Sequence, residues 1–363
     1  MLSVLASMYV ATIACAKEPQ VPEVRVTNVR RVFHNGEHNA FTHMIRFRDR
    51  FYLAFRSCPD GHMIYPTSSN IILESEDGQT WKKVHHFRVP KRDLRDPHFL
   101  VLHDTLFVNV SAWYCGDKPT PPEEYGFNKH LGYGCRSKDG STWSDPFMLE
   151  GTYGHFVGRT TTHNGTAYMC GRRKHEFTET SRNIRSDCES VMLESDDGFV
   201  WRTRAIFQTT LGNETAFLFE PDGSILAVSR YTMEKSQLCQ SKPPYSQWER
   251  SDLDRCIGGP LLVKWGGHYL VGGRNTSGPR WGGAFQVDGQ KPTGPRPVTT
   301  LYWLVDGKLI ECAALPSGGD NSYPGFIELS PTRGLLSWYS THEKDDSGKP
   351  MTAIYLADLE IVE

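Results

Sequence analysis

The amino-acid sequence predicts an all-β fold: a six-bladed β-propeller of four-stranded antiparallel blades, its ring closed by an N-terminal strand. Three observations carry that prediction. A seven-residue turn recurs, first as Ser75-Glu76-Asp77-Gly78-Gln79-Thr80-Trp81, then as Ser137 to Trp143, and in a more altered form as Ser195 to Trp201. Around and beyond these turns the chain divides into six units, each opening with an apolar strand, a polar turn and a second apolar strand. The composition, with 33 Gly, 22 Pro and 12% aromatic residues in a chain of 363, suits many short strands better than long helices. Long apolar stretches of helical period are hard to find.

The six units open at His38, Asp93, Tyr153, Asn213, Cys256 and Gly318. Pairs such as Asp222-Gly223 and Gly266-Gly267 mark hairpin turns. Two more strands follow each hairpin, and the Ser-x-Asp-Gly turn joins them in the first three units. Four strands in a period of about 45–60 residues are the signature of a propeller blade. The last unit has a third strand, TAIYLADLEIV, but no fourth. EVRVTNVRRVFH, near the N-terminus, supplies the missing strand and closes the ring, which leaves no long exposed edge. In the recurring turn Gly takes an unusual backbone angle and Asp accepts hydrogen bonds from nearby amides. Thr and Trp then set the following strand against the neighbouring blade. The Asp residues of these turns are therefore structural.

Residues 1–16 stand apart from this pattern. The apolar run from Met1 ends in Ala14-Cys15-Ala16, an A-x-A-like cleavage site, and predicts an export signal removed near Ala16. The alternatives are a lipid anchor on Cys15 and a buried first strand or helix. The expected location is secreted or periplasmic, with residues 17–363 forming a single domain. Eight further Cys form an even set that suits disulfides. Cys115 with Cys135, and Cys170 with Cys188, flank loops in equivalent units and are candidate staples, with free thiols as the alternative. A net charge of −2 speaks against a nucleic-acid or anionic-membrane partner. The expected chain is a monomer without a membrane span. No metal-ligand spacing stands out, and no cofactor is expected.

Geometry limits where chemistry can sit. The recurring turns lie on one face of the ring. The starts of first strands and the ends of second strands gather on the other, near the axis. Second-strand ends supply Arg56, Arg172, Arg230 and Arg274, with Trp113 and His342 in the two remaining units. First-strand starts supply His38 and Asn39, Arg95 and Asp96, His155 and Arg159, Glu214, and Asp320 with Tyr323. Several guanidinium groups converging on one cavity repel each other unless an anion or acidic side chains neutralise them, and their planar forks match carboxylate. A carboxylated sugar is thus the natural ligand. The alternative is that each Arg pairs with an acid inside its own blade. Asp60 and His62, in the loop after Arg56, also reach toward the cavity rim and could protonate a leaving group.

These residues resemble the sialidase (neuraminidase) superfamily of six-bladed propellers, over nearly the whole mature chain. The Ser-x-Asp-Gly-x-Thr-Trp turns are similar to that family's Asp boxes, one residue shorter than its usual spacing. NETAFLFEPDGSILAVSR is similar to the family's strand pair that begins with a Glu and ends with an Arg of its carboxylate-binding triad. The resemblance gives those roles to Glu214 and Arg230. GGRN places Arg274 like the next triad Arg, and DNSYPGF places Tyr323 like the catalytic Tyr. In that family Tyr attacks the anomeric carbon, Glu accepts its proton and an Asp is the acid. A neutral phenol avoids the repulsion that a carboxylate nucleophile would meet beside the substrate's own carboxylate. The chain departs from the pattern in its first blade, where HNAFT puts Asn39 near the expected Arg. The acid has no clear counterpart, so Asp60, His62 and Asp96 compete. LPSGGDNSYPG and WYSTHE resemble a group of bacterial sialidase-like proteins, whose site would centre on Arg95, Asp96, Glu214, Asp320, Tyr323 and His342.

The leading expectation is an exo-glycosidase that removes a terminal acidic sugar (sialic acid or a related ulosonic or uronic acid) with retention of configuration. Two rivals come from other classes. One is a polysaccharide lyase that uses Tyr323 or a His as base and Arg to neutralise a uronate, and so leaves unsaturated products. The other is a carbohydrate-binding propeller without catalysis.

Overall fold

A computed structural model describes residues 21–179, 185–232, 235–275 and 297–362. The expected export signal, with Cys15, lies outside the described residues. The protein is a six-bladed β-propeller of four-stranded antiparallel sheets. The innermost strands are His38–Phe47, Arg92–Leu102, Phe156–His163, Thr215–Phe219, Ile257–Trp265 and Asn321–Ser330. Each touches the next, and the last returns to the first, so they form a closed ring around the axis. Blade six takes three strands from the C-terminus, and Glu23–Phe33 pairs with the outermost, Pro350–Val362, to complete it. No helix among the described residues is long and apolar enough to cross a membrane.

Six apolar clusters hold the ring together, one at each blade interface. Tyr52, Ala54 and Ile72 of blade one meet Phe99 and Val108 of blade two. Leu53, Phe55 and Ile71 face the other way, toward Leu335 and Leu356 of blade six. Successive side chains of a strand point to opposite faces, so each blade feeds two cores. This explains the unbroken apolar runs: both faces of a central strand are buried.

The recurring turn does what its residues predict. Asp77 Oδ1 accepts the amides of Gln79 and Thr80, both at 2.8 Å, and the hydroxyl of Ser75 at 3.0 Å. Ser75 Oγ accepts the Gly78 amide at 2.9 Å, and the Trp81 indole donates back to the Gly78 carbonyl at 3.3 Å. The same bonds recur at Asp139 and Asp197. Gly140 shows why glycine is required there. Its φ is +80°, and a Cβ would stand 1.9 Å from the hydroxyl of Tyr52 in the preceding blade.

The disulfide staples are absent; no disulfide joins any of the eight cysteines in the described residues. Cys135 lies opposite Val108 in mid-strand, whereas Cys115 follows the far end of that strand at Tyr114. Cys188 lies opposite Lys174, four residues from Cys170. At about 3.3 Å per residue these separations exceed disulfide reach. The cysteines carry no argument about the cellular compartment.

Candidate active site

Five of the six innermost strands carry a bulge at the same depth. The register shifts fall at Ala40/His43, Arg95/His98, Val157/Thr160, Gly258/Leu261 and Ser322/Gly325. Within four of them one residue has a left-handed backbone: Phe41 at φ +64°, Asp96 at +49°, Gly259 at +61° and Tyr323 at +51°. Such bulges re-aim side chains and are frequent beside active sites. Here Asp96, Gly158, Gly259 and Tyr323 all line one axial pocket, together with Arg159, Arg172 and Glu214. Holding Tyr and Asp at positive φ costs on the order of 1–3 kcal/mol each, strain that the surrounding sheet must offset.

Glu214 sits at the centre of the pocket. Its Oε1 accepts the Tyr323 hydroxyl at 2.7 Å. Its Oε2 accepts the Gly259 amide at 3.0 Å and Arg230 Nη1 at 3.4 Å. Arg172 Nη1 lies 3.9 Å from Oε1 and is held by Asn213 Oδ1. Gly259 cannot be larger, because a Cβ there would meet the Tyr323 ring at 2.7 Å. Burial pushes the Glu214 carboxyl up, but Arg230, Arg172, the Tyr323 hydroxyl and the Gly259 amide outweigh it and bring it down to about 2. Glu214 is therefore ionised and placed to take the proton of Tyr323. Burial, with Glu214 and Asp96 nearby, holds the Tyr323 phenol well above its ordinary value. Tyr323 is neutral at rest.

Asp96 behaves in the opposite way. It is 3% exposed, and its Oδ1 is buried without a hydrogen-bond partner. Burial and the charge of Glu214 push its carboxyl up to about 7, against the pull of Arg95, Arg172 and Arg159. Two carboxyl groups in one pocket are thus pushed apart, Glu214 held ionised and Asp96 raised to where it keeps a proton up to about neutral pH.

Beside this pocket lies a second network, centred on Asp320. Its Oδ2 meets His38 Nε2 at 3.0 Å and His62 Nδ1 at 2.5 Å, and its Oδ1 accepts the Tyr339 hydroxyl at 2.9 Å. Arg274 donates through Nη2 to that hydroxyl at 3.3 Å and through Nε to the Asn321 carbonyl at 2.9 Å. Arg274 thereby lies over the Tyr323 ring, 5.9 Å from its centroid. Burial lowers His62 to about 4 against the attraction of Asp320, so it is neutral at pH 7 and poorly suited to give a proton. The ligand atoms of His38, His62 and Asp320 lie within 4.8 Å of one another, close enough to hold a metal ion. A cation there would share Asp320 with Arg274 and would meet the charges of Arg56 and Arg95.

The structure thus brings together Asp96, Glu214, Tyr323 and Arg230, with Arg274, Asp320 and His62 alongside. Arg95 borders the group, donating to Asp93 at 3.1 Å and lying over the Phe41 ring. Four expected residues stand elsewhere. Arg56 is fully buried and spends its guanidinium on Asp93, at the start of blade two, and on the Gly61 and Met63 carbonyls; it pairs with an acid as a brace, but with one from the neighbouring blade rather than its own. Asn39 braces Asn35, Glu37 and Thr352. Asp60 is exposed and bonds Thr67. His342 lies against the Tyr355 ring. Sequence reasoning missed Gly259 and Tyr339, and placed Arg159 and Arg172 on the axial face without giving them a role. Asp96-Pro97, Gly259-Pro260 and Tyr323-Pro324 occupy the same bulge, and that recurring X-Pro pair was the available signal.

No protein-family model matches the sequence, and no curated protein matches it. Solved structures do. A protein of unknown function from Dyadobacter fermentans DSM 18053 is similar with a TM-score of 0.69 and 19% identity, over 94% of this chain and 100% of that one. Trypanosoma rangeli sialidase in complex with sialic acid is similar with a TM-score of 0.61 and 11% identity, over 94% of this chain and 59% of that one. The endosialidase of phage phi92 is similar at 0.64 and 11%, over 93% and 69%. At these identities the likeness establishes the sialidase-like propeller fold.

Proposed function

We propose that this protein is an exported exo-glycosidase that removes a terminal acidic sugar with retention of configuration. The observation that carries this reading is the 2.7 Å hydrogen bond from Tyr323 to an ionised Glu214 in the pocket that Asp96 also lines. Arg230 and Arg172, at the edge of Glu214, and Arg274, over the Tyr323 ring, supply the positive field for the substrate carboxylate. Tyr323 Oη attacks the anomeric carbon as Glu214 Oε1 takes its proton. Asp96 gives its proton to the glycosidic oxygen, which leaves as an alcohol. Asp96, now a carboxylate, then draws a proton from water, which cleaves the glycosyl–tyrosine bond, and Glu214 returns its proton to Tyr323. Likeness to the trypanosomal and phage enzymes supports the substrate class.

The test is a screen of purified protein against fluorogenic sialosides and other acidic glycosides. Tyr323→Phe is expected to lower kcat on the order of 10³-fold or more, and Glu214→Gln to act in the same direction. Arg274→Ala is expected to raise KM first. Wild-type activity preserved in Tyr323→Phe would contradict the assignment. Products absorbing in the near ultraviolet would mark a lyase instead.

A further inference from the structure

The third blade carries a feature that the reaction above does not use. Tyr153 and Phe177 are 58% and 39% exposed. Their rings stack on each other, with centroids 6.3 Å apart and planes 28° apart. Both lie on the face that bears the pocket. Phe156 and Arg172, which pair across the first two strands of this blade, line the pocket wall. Tyr153 precedes Phe156 by three residues and Phe177 follows the same strand pair. At about 3.3 Å per residue, Tyr153 lies within about 10 Å of that wall.

Phe177 is held outward by several separate devices. Glu176 and Phe177 have φ of +51° and +55°, an uncommon backbone for such side chains. Asn128, from the neighbouring blade, donates to the Phe177 carbonyl at 2.7 Å. Gly154 passes beneath the ring, where a Cβ would come within 2.8 Å of it. Arg173 lies 5.1 Å from the ring centroid, and Glu189 and His155 hold that guanidinium in place. Strained backbone that keeps an apolar ring in water points to a ligand for the ring.

We infer that Tyr153 and Phe177 form the platform on which the leaving-group sugar of the substrate stacks, and that this sugar is a neutral pyranose. The inference rests on the glycosidase reading for what it stacks. A terminal acidic sugar fills the Arg-lined pocket, and whatever it is joined to must leave across the rim. The C–H face of a pyranose matches an exposed aromatic ring, whose face is electron-rich. Arg173 beside Phe177 would repel no group of a neutral sugar.

Two measurements test the platform. The first compares the methyl glycoside of the acidic sugar with the same sugar joined to lactose. Tyr153→Ala and Phe177→Ala are expected to lower kcat/KM for the lactose conjugate about 3- to 10-fold and to leave the methyl glycoside unchanged. Equal loss on both substrates, or no loss on either, overturns the inference. The second is titration of wild type, Tyr153→Ala and Glu214→Gln with lactose, cellobiose and maltose. Wild type and Glu214→Gln are expected to bind at least one, and Tyr153→Ala to lose it. No binding by wild type, or unchanged binding by Tyr153→Ala, overturns the platform. Lactose binding lost in Tyr153→Ala, in a protein that cleaves no acidic glycoside, would leave the platform standing and remove the glycosidase reading alone.

Discussion

Burying Asp96 costs stability. Its carboxyl is raised to about 7 in the folded chain, against an ordinary value near 4. The folded state therefore holds a proton that the unfolded chain releases, and stability falls as pH rises from about 4 through 7. Asp96→Asn removes that fall. The variant is expected to be more stable than wild type above pH 7, by on the order of 2–4 kcal/mol, with the difference shrinking toward pH 4; thermal unfolding across that range measures it. In the proposed reaction the same proton sets the activity. If Asp96 is the acid, kcat/KM falls as pH rises through about 7 while Glu214, near 2, stays ionised throughout. Asp96→Asn is then expected to lose about 10²–10⁴-fold in turnover. A variant both less stable and fully active would refute the role.

At the scale of the element, the recurring turn and the bulge divide the work between two faces of each blade. The turn closes the last two strands and presses its glycine against the preceding blade. Gly140→Ala is expected to destabilise the fold by about 2 kcal/mol or more, since the Cβ strikes Tyr52 and the left-handed φ disfavours alanine. Activity at low temperature should survive, because the turn lies on the face opposite the pocket; a denaturant titration alongside an activity assay separates the two effects. The turn was legible because Ser, Asp, Gly and Trp each act within a few residues of one another. The bulge was legible only in part: a Pro follows Asp96, Gly259 and Tyr323, but its main signature is a backbone angle produced by five strands packing around an axis, and Phe41, Asp96, Gly259 and Tyr323 share no side-chain chemistry.

Over the whole molecule, closure decides stability. Glu23–Phe33 covers the edge of Pro350–Val362, Val24 packs into the cluster between blades five and six, and the Pro22 carbonyl accepts the Trp303 indole at 2.7 Å. Removing residues 21–33 leaves blade six one strand short with an open edge. The truncated chain is expected to aggregate or to lose on the order of 10 °C in Tm, measured by calorimetry; an unchanged Tm would show that closure contributes little. Closure also assembles the site, since Tyr323, Glu214 and Asp96 come from blades six, four and two.

Local pattern determined the number of blades, the order of strands, the closing strand and the face that bears the pocket, because each depends on periodicity and turn chemistry that neighbouring residues carry. It also marked Glu214, Arg230, Arg274 and Tyr323. Tertiary structure alone decided which of three candidate acids shares their pocket, which arginines are spent as braces, and that the cysteines stand apart. Those outcomes depend on distances between blades and on the desolvation that the closed ring imposes, and neither is written in the spacing of residues along one strand.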